Sequence, residues 1–136
     1  MNNDDFCFRS PSASLLQAVR EFNSGLYFEC HETLEELWIS EDDPWRRFYQ
    51  GILQIGIAFL HLRRGNQPGM VKLCRSGIDY LQPFLPCCQH VDVARLLKET
   101  EAILQKAEQL GPQGLPELQQ LNLPRIELVA DMQNQT

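Results

Sequence analysis

His31, Glu32 and Glu35 are the residues of this sequence whose types and spacing best suit chemistry. His31 and Glu35 are one helical turn apart, so on an α-helix both side chains can reach one divalent metal ion. Glu32 would then be the general base beside a metal-bound water. On a helical wheel, however, Glu32 lies about 60–100° away from the pair. The pattern His-Glu-x-x-Glu is short and common, so it predicts a metal site only together with further ligands.

A second line of polar residues follows about one helix later. Gln50, Gln54 and His61 lie on one side of a segment that is otherwise apolar almost all round. Such a segment is typical of a central, buried helix. An antiparallel neighbour would bring this line opposite His31 and Glu35. Because an unpaired buried polar group costs about 1–3 kcal/mol, these side chains must satisfy one another, a water or a ligand.

The polar cluster therefore has two interpretations. In the interpretation we favour, it is a structural network that fixes the register of two central helices, made of His31, Glu35, Gln50, Gln54 and His61. In the alternative, the protein is a metal-dependent, hydrolase-like enzyme. A divalent metal would then be the cofactor, with His31, Glu35 and His61 as its ligands and Glu32 as the base.

The elements that must position these residues are all helical. Capping residues, prolines and glycines divide the chain into about five helices, which pair as antiparallel hairpins in a single-domain, all-α bundle. The predicted helices span about residues 10–23, 27–39, 44–64, 68–82 and 92–110. No strand alternation is present. The domain organisation predicted is an N-terminal tail at 1–9, a helical domain at 10–123 and an extended C-terminal tail at 124–136.

The stretch around His31 also resembles a known family. Its residues read Phe22-Asn23-x-Gly25-x-Tyr27-Phe28-Glu29-x-His31-Glu32-x-Leu34-Glu35-x-x-Trp38. This motif is similar to that of the bacterial and archaeal family catalogued as the domain of unknown function numbered 309, and the resemblance covers about residues 12–85. It implies a small all-helical domain without an established activity. Some members are labelled metal-dependent hydrolases, a label that would point to His31, Glu32 and Glu35.

Composition restricts the classes of partner. A net charge of −6 makes a nucleic-acid backbone an unsuitable partner. No apolar run reaches the roughly 18–20 residues that a membrane span needs. The acidic N-terminus does not resemble a signal peptide, so the cytoplasm is the expected location. The five cysteines include no Cys-x-x-Cys pair, which favours reduced thiols.

Charge is also unevenly distributed along the chain. Seven acidic residues and no Lys or Arg lie between Glu29 and Asp43, and basic residues follow. Such a layout could support self-association into a homodimer or binding of another protein. We therefore expect a cytoplasmic helical protein of unknown function, with a structural or interaction role rather than a catalytic one.

Overall fold

The computed structural model describes residues 3–130, which fold into an all-α domain with seven helices. Their bounds are α1 Asn3–Cys7, α2 Ala13–Asn23, α3 Tyr27–Ile39, α4 Arg46–Arg63, α5 Gln67–Leu81, α6 Val93–Leu110 and α7 Leu115–Gln119. The predicted all-α class is confirmed. The number of helices differs from about five because α1 and α7, of five residues each, carry too little periodic pattern to be recognised.

The sequence predicts no strands, but the structure contains one short pair. Two-residue strands, β1 (Cys87–Cys88) and β2 (Val91–Asp92), pair antiparallel around a tight turn at Gln89 and His90. Both turn residues have a positive φ, at 47° and 68°. A ladder this short has no alternation for a sequence pattern to reveal.

Local capping explains where the longer helices begin. Helix α2 begins at Ala13 rather than at residue 10, because the Ser12 hydroxyl accepts a hydrogen bond from the Leu15 amide at 3.1 Å. Helix α6 begins after Asp92, as predicted, and the Asp92 carboxylate accepts from the Arg95 amide at 3.0 Å. Each cap satisfies a backbone donor that the first helical turn leaves unpaired.

Helices α3, α4 and α5 form one antiparallel layer with α4 in the middle. Helix α2 covers the inner side of this layer, where the Phe22 ring lies 5.4 Å from that of Tyr27 and 6.1 Å from that of Phe59. Helix α6 packs beside α5. Within residues 3–130, the residues on the opposite side of α4 stay half-buried rather than buried. The layer therefore has a covered inner side and an open outer side.

Small residues let α4 and α5 approach closely. A Cβ added at Gly77 would lie 2.6 Å from Ile55 Cγ1 and 3.0 Å from the Gly51 carbonyl oxygen. A Cβ at Gly51 would lie 2.6 Å from Leu81 Cγ. At Gly56, by contrast, the nearest atom would be 3.7 Å away, which is ordinary contact. In α4 the close approach to α5 is thus made at Gly51 and not at Gly56.

The N-terminal segment is attached to the core by an aromatic ring and a disulfide. Phe6 is fully buried and stacks on Trp45 with ring centroids 5.5 Å apart. Cys7 and Cys88 form a disulfide between α1 and β1. The prediction of reduced thiols is therefore wrong for this pair, which lies 81 residues apart in sequence and meets only through the tertiary fold. Cys30, Cys74 and Cys87 are free thiols.

The C-terminal segment returns to the α2–α3 turn in extended form. The Asn23 side chain donates to the Ile126 carbonyl at 2.9 Å and accepts from the Ile126 amide at 2.7 Å. The Val129 amide donates to the His90 carbonyl at 2.7 Å. The remainder of the predicted tails, residues 1–2 and 131–136, lies outside the described residues. In the part that is described, no helix has the length and apolar character needed to cross a bilayer.

Candidate interaction face on helices α3, α4 and α5

Helix α3 carries a row of side chains along its outer side. His31 Nε2 lies 3.6 Å from Glu35 Oε2, with 33% and 45% of the two side chains exposed. The Phe28 ring lies 6.2 Å from the His31 ring, centroid to centroid. Ile39 extends the same row by one more turn, since residues spaced by three or four fall on one helix face. The row therefore begins and ends with exposed apolar residues and has a polar centre.

This position differs from the buried cluster expected from the sequence. The inner side of α3 is formed by Tyr27, Cys30 and Leu34, which are 4% exposed or less. Their common direction lies about 60–100° from that of His31 and Glu35 on a helical wheel. Cys30 is buried and Trp38 only half-buried, so the centre of the buried side of α3 lies towards Cys30. The His31–Glu35 pair is therefore at the edge of the buried side and reaches solvent.

Helix α4 forms the middle of the open outer side of the α3–α4–α5 layer. Its outward residues are half-buried and include both polar and apolar side chains: Gln50, Leu53, Gln54, Ile57, Leu60 and His61. Helix α5 adds Leu73, Ser76 and Tyr80, which are also half-buried. We call these residues, together with Phe28, His31, Glu35 and Ile39 of α3, the outer face.

The polar residues of the outer face do not form the predicted network among the described residues. His31 Nδ1 and Gln54 Oε1 are buried atoms without a hydrogen-bond partner. His61 Nδ1 instead pairs with the Asn66 side-chain amide, 3.2 Å away in the turn after α4. The predicted residues therefore share one face, but hydrogen bonds do not join them into a single cluster.

The predicted metal ligands His31, Glu35 and His61 and the predicted base Glu32 do not lie together around one point. Only His31 and Glu35 form a close pair, and no group of three or more His, Cys, Asp and Glu side chains within residues 3–130 could hold a metal ion. Glu32 is exposed and lines a shallow depression on the α2 side of α3, together with Glu21 and Thr33. It is therefore turned away from the side on which His61 lies.

The part of the chain that carries the outer face is also the part that resembles known proteins. Residues 15–73 match the model of the family described as "Domain of unknown function (DUF309)". The predicted resemblance is confirmed. The chain is also similar to the uncharacterized protein YpuF of Bacillus subtilis (strain 168), with 36% identity over 86 residues. That region covers 60% of this chain and 49% of YpuF, so the chain spans about half the length of this relative.

The segment that matches the DUF309 model includes most of the outer face. It contains α3, α4, nearly all of α2 and the first half of α5. Its motif residues have different roles: Tyr27 and Leu34 are core residues, while Phe28 is 51% exposed. The motif is therefore explained only in part by packing of this chain against itself.

Sequence reasoning assigned no role to the exposed apolar residues of α3. Ile39 is 59% exposed and Phe28 is 51% exposed, the two highest values among the large apolar residues that are described. A signal was available, because Phe28, His31, Glu35 and Ile39 follow the spacing of one helical face. The face is hard to recognise from the sequence, because Trp38 lies with Tyr27 and Leu34 on a helical wheel and moves the apparent apolar side towards His31.

Proposed function

We propose that this protein is a helical interaction module that forms a two-fold dimer through the outer face. The observation that carries the proposal is the exposure of Phe28 and Ile39 at the two ends of the α3 row. Burying apolar surface is favourable by roughly 25 cal/mol per Å². Phe28 and Ile39 flank the half-buried apolar residues of α4, and large apolar side chains left exposed on one side of a domain are typical of an association site.

The centre of the outer face also suits a protein partner. Leu53, Ile57 and Leu60 remain half-buried in the described part of the chain, although they lie on the most central helix. A partner that covers α4 would complete their burial. The polar side chains Gln50, Gln54 and His61 between them would supply the hydrogen bonds that interfaces contain alongside apolar contacts.

Charge complementarity favours a second copy of the chain as the partner. Helix α3 has four glutamates and no Lys or Arg, whereas α4 has three arginines and no acidic residue. A two-fold axis between these helices would place α3 of one copy against α4 of the other. Because a two-fold interface pairs each surface with its counterpart, any contact between Glu35 of one copy and an arginine of α4 in the other would occur twice. The other three glutamates of α3 line its α2 side and take no part.

Sedimentation equilibrium of wild type and variants tests the dimer. We expect a mass near twice the 15.7 kDa of the chain, and monomer for the Phe28→Ser, Ile39→Ser double variant. Leu128→Ser is the matched control, because Leu128 is 45% exposed but belongs to the C-terminal segment. A wild-type monomer at high concentration, or a double variant as dimeric as the control, would overturn the proposal.

A metal-dependent hydrolase is the second candidate, and one observation favours it. His31 Nε2 and Glu35 Oε2 are close, and both side chains reach solvent on the outer face. With His61 as a third ligand and Glu32 as the base, a side-chain rearrangement would be needed to close the site. Elemental analysis of untagged wild type and His31→Ala tests it: near-stoichiometric metal that disappears in the variant supports the site, and metal-free protein after incubation with zinc opposes it.

A further inference from the structure

A cavity of about 830 Å³ opens at the end of the bundle where the C-terminal segment crosses the α2–α3 turn. We propose that it is a binding site for a small organic carboxylate, held by Arg63 and Arg125. The site is separate from the outer face and does not depend on dimer formation. The volume is within the range of about 300–1,000 Å³ that is typical of small-molecule sites.

The α2–α3 turn forms one wall and fixes the first arginine. Arg63 Nη1 donates to the Gly25 carbonyl, and its guanidinium carbon lies 4.7 Å from the centre of the Tyr27 ring. Gly25 has φ +75°, and a Cβ there would collide with the Arg63 guanidinium. The backbone conformation therefore favours glycine, and any other residue there would displace the Arg63 guanidinium from this position.

The stretch from Gln119, the last residue of α7, to Ile126 in the C-terminal segment forms the opposite wall and is anchored on both sides of the cavity. Gln119 donates through Nε2 to the Leu62 carbonyl at 2.9 Å. The two hydrogen bonds between Asn23 and Ile126 attach the segment at its other end. Between these anchors, Arg125 Nη1 donates to the Asn23 carbonyl at 3.2 Å. The second arginine is therefore positioned by the backbone that it contacts.

The lining has a charge opposite to that of the whole chain. It contains Arg63 and Arg125 but no Asp or Glu, in a protein of net charge −6. Each guanidinium uses one N–H for the carbonyl contact, out of the five that arginine carries. Donors on two arginines are therefore available to an anion, and a planar guanidinium matches the two oxygens of a carboxylate.

Apolar side chains make up much of the remaining lining and define the rest of the ligand. Leu62, Leu121, Leu123 and Pro124 contribute to it. A ligand with a carboxylate at one end and a short hydrocarbon chain at the other matches this combination. Inorganic phosphate has the charge without the apolar part, and a linear alkylammonium has the apolar part with the opposite charge.

Nitrogen-15 NMR titrations with hexanoate test the site, with inorganic phosphate and hexylammonium as comparison probes. We expect saturable shifts at the Gly25 amide and at the Gln119 side-chain amide with a Kd on the order of 1 mM for hexanoate. Phosphate should bind at least about tenfold more weakly. Hexylammonium should give no saturable shift at either amide.

Variants of Arg125 separate the site from non-specific charge effects. Arg125→Gln should weaken hexanoate binding by about tenfold, since a charged hydrogen bond contributes about 1.5 kcal/mol or more, and Arg125→Lys should restore part of it. Arg20→Gln removes the same charge from an exposed position on α2 and should leave binding unchanged. Non-saturable shifts with hexanoate, equal binding by Arg125→Gln and Arg20→Gln, or preference for phosphate or hexylammonium would each overturn the proposal.

Discussion

His31 and Glu35 lie side by side along one side of α3, with 3.6 Å between His31 Nε2 and Glu35 Oε2. Both side chains are partly exposed, His31 by 33% and Glu35 by 45%. Water therefore screens the pair, and exposed pairs spaced by one helical turn contribute only about 0.3–0.5 kcal/mol. The pair is a surface feature of the outer face rather than a support of the core.

A double-mutant cycle on this pair measures how much it stabilises the monomer. We expect His31→Ala and Glu35→Ala to show a coupling free energy of no more than about 0.5 kcal/mol in urea unfolding at neutral pH, because the pair is exposed and is ionic only when His31 is protonated. A buried network would instead give single-variant losses of roughly 1–4 kcal/mol and strong non-additivity. The measurement should be made at low protein concentration, so that dissociation of a dimer does not contribute. A coupling above about 1 kcal/mol under these conditions would contradict the exposed geometry.

Substitution by alanine should change the free energy of unfolding in opposite directions at Gly77, where α4 and α5 approach closely, and at Gly56, where there is room. Gly77→Ala places a Cβ 2.6 Å from Ile55 Cγ1 and 3.0 Å from a backbone oxygen, so overpacking should lower the free energy of unfolding by about 1–3 kcal/mol. Gly56→Ala has room, with 3.7 Å to the nearest atom. That variant should gain about 0.5–1 kcal/mol from helix propensity. Thermal or urea unfolding of both variants decides the matter, and a stabilised Gly77→Ala would mean that the helices are farther apart than described.

Two buried thiols should make the protein less stable at alkaline pH. Burial is the main cause that raises the pKa of Cys30 and that of Cys74 from an ordinary value of 9.0 to about 12. Unfolded thiols ionise near pH 9 while folded ones stay protonated. The stabilisation is therefore complete below pH 9 and is lost as the pH rises towards 12, at about 1.4 kcal/mol per pH unit for each thiol.

Urea unfolding between pH 8 and 11 measures this slope. The Cys30→Ala, Cys74→Ala variant is the control, because it lacks both thiols. The slopes with pH are compared, so a different stability of the variant at pH 8 does not matter. Tyr27 and Tyr49, whose pKa values burial also raises, remain in both proteins. Equal slopes in wild type and variant would show that the two thiols are not buried.

The sequence predicted the elements better than it predicted their arrangement. The bounds of α3 agree with the prediction at both ends, because the Gly25 turn and the residue pattern of α3 are local signals. The Cys7–Cys88 disulfide joins residues far apart in sequence, so no local pattern could reveal it. The exposure of Glu35 depends on which side of α3 the neighbouring helices cover. A helical wheel gives the directions of side chains but not the helices that pack against them.

The cavity residues illustrate the same limit. Asn23 and Gly25 belong to the recognised motif, and their turn was predicted as the end of a helix. Arg63 and Arg125 come from the end of α4 and from the C-terminal segment. Only the return of that segment to Asn23 brings the two arginines to one cavity.

The most direct test of the proposed dimer is an isotope-filtered NOE experiment on an equimolar mixture of carbon-13-labelled and unlabelled protein. The experiment detects only contacts between different copies. We predict intermolecular signals to the methyl groups of Ile39, Leu53, Ile57 and Leu60, which lie on the outer face, and none to those of Leu128. A mixture without intermolecular signals at concentrations near 1 mM, the order of the weakest specific associations, would contradict the dimer, as would signals confined to Leu128 and its surroundings.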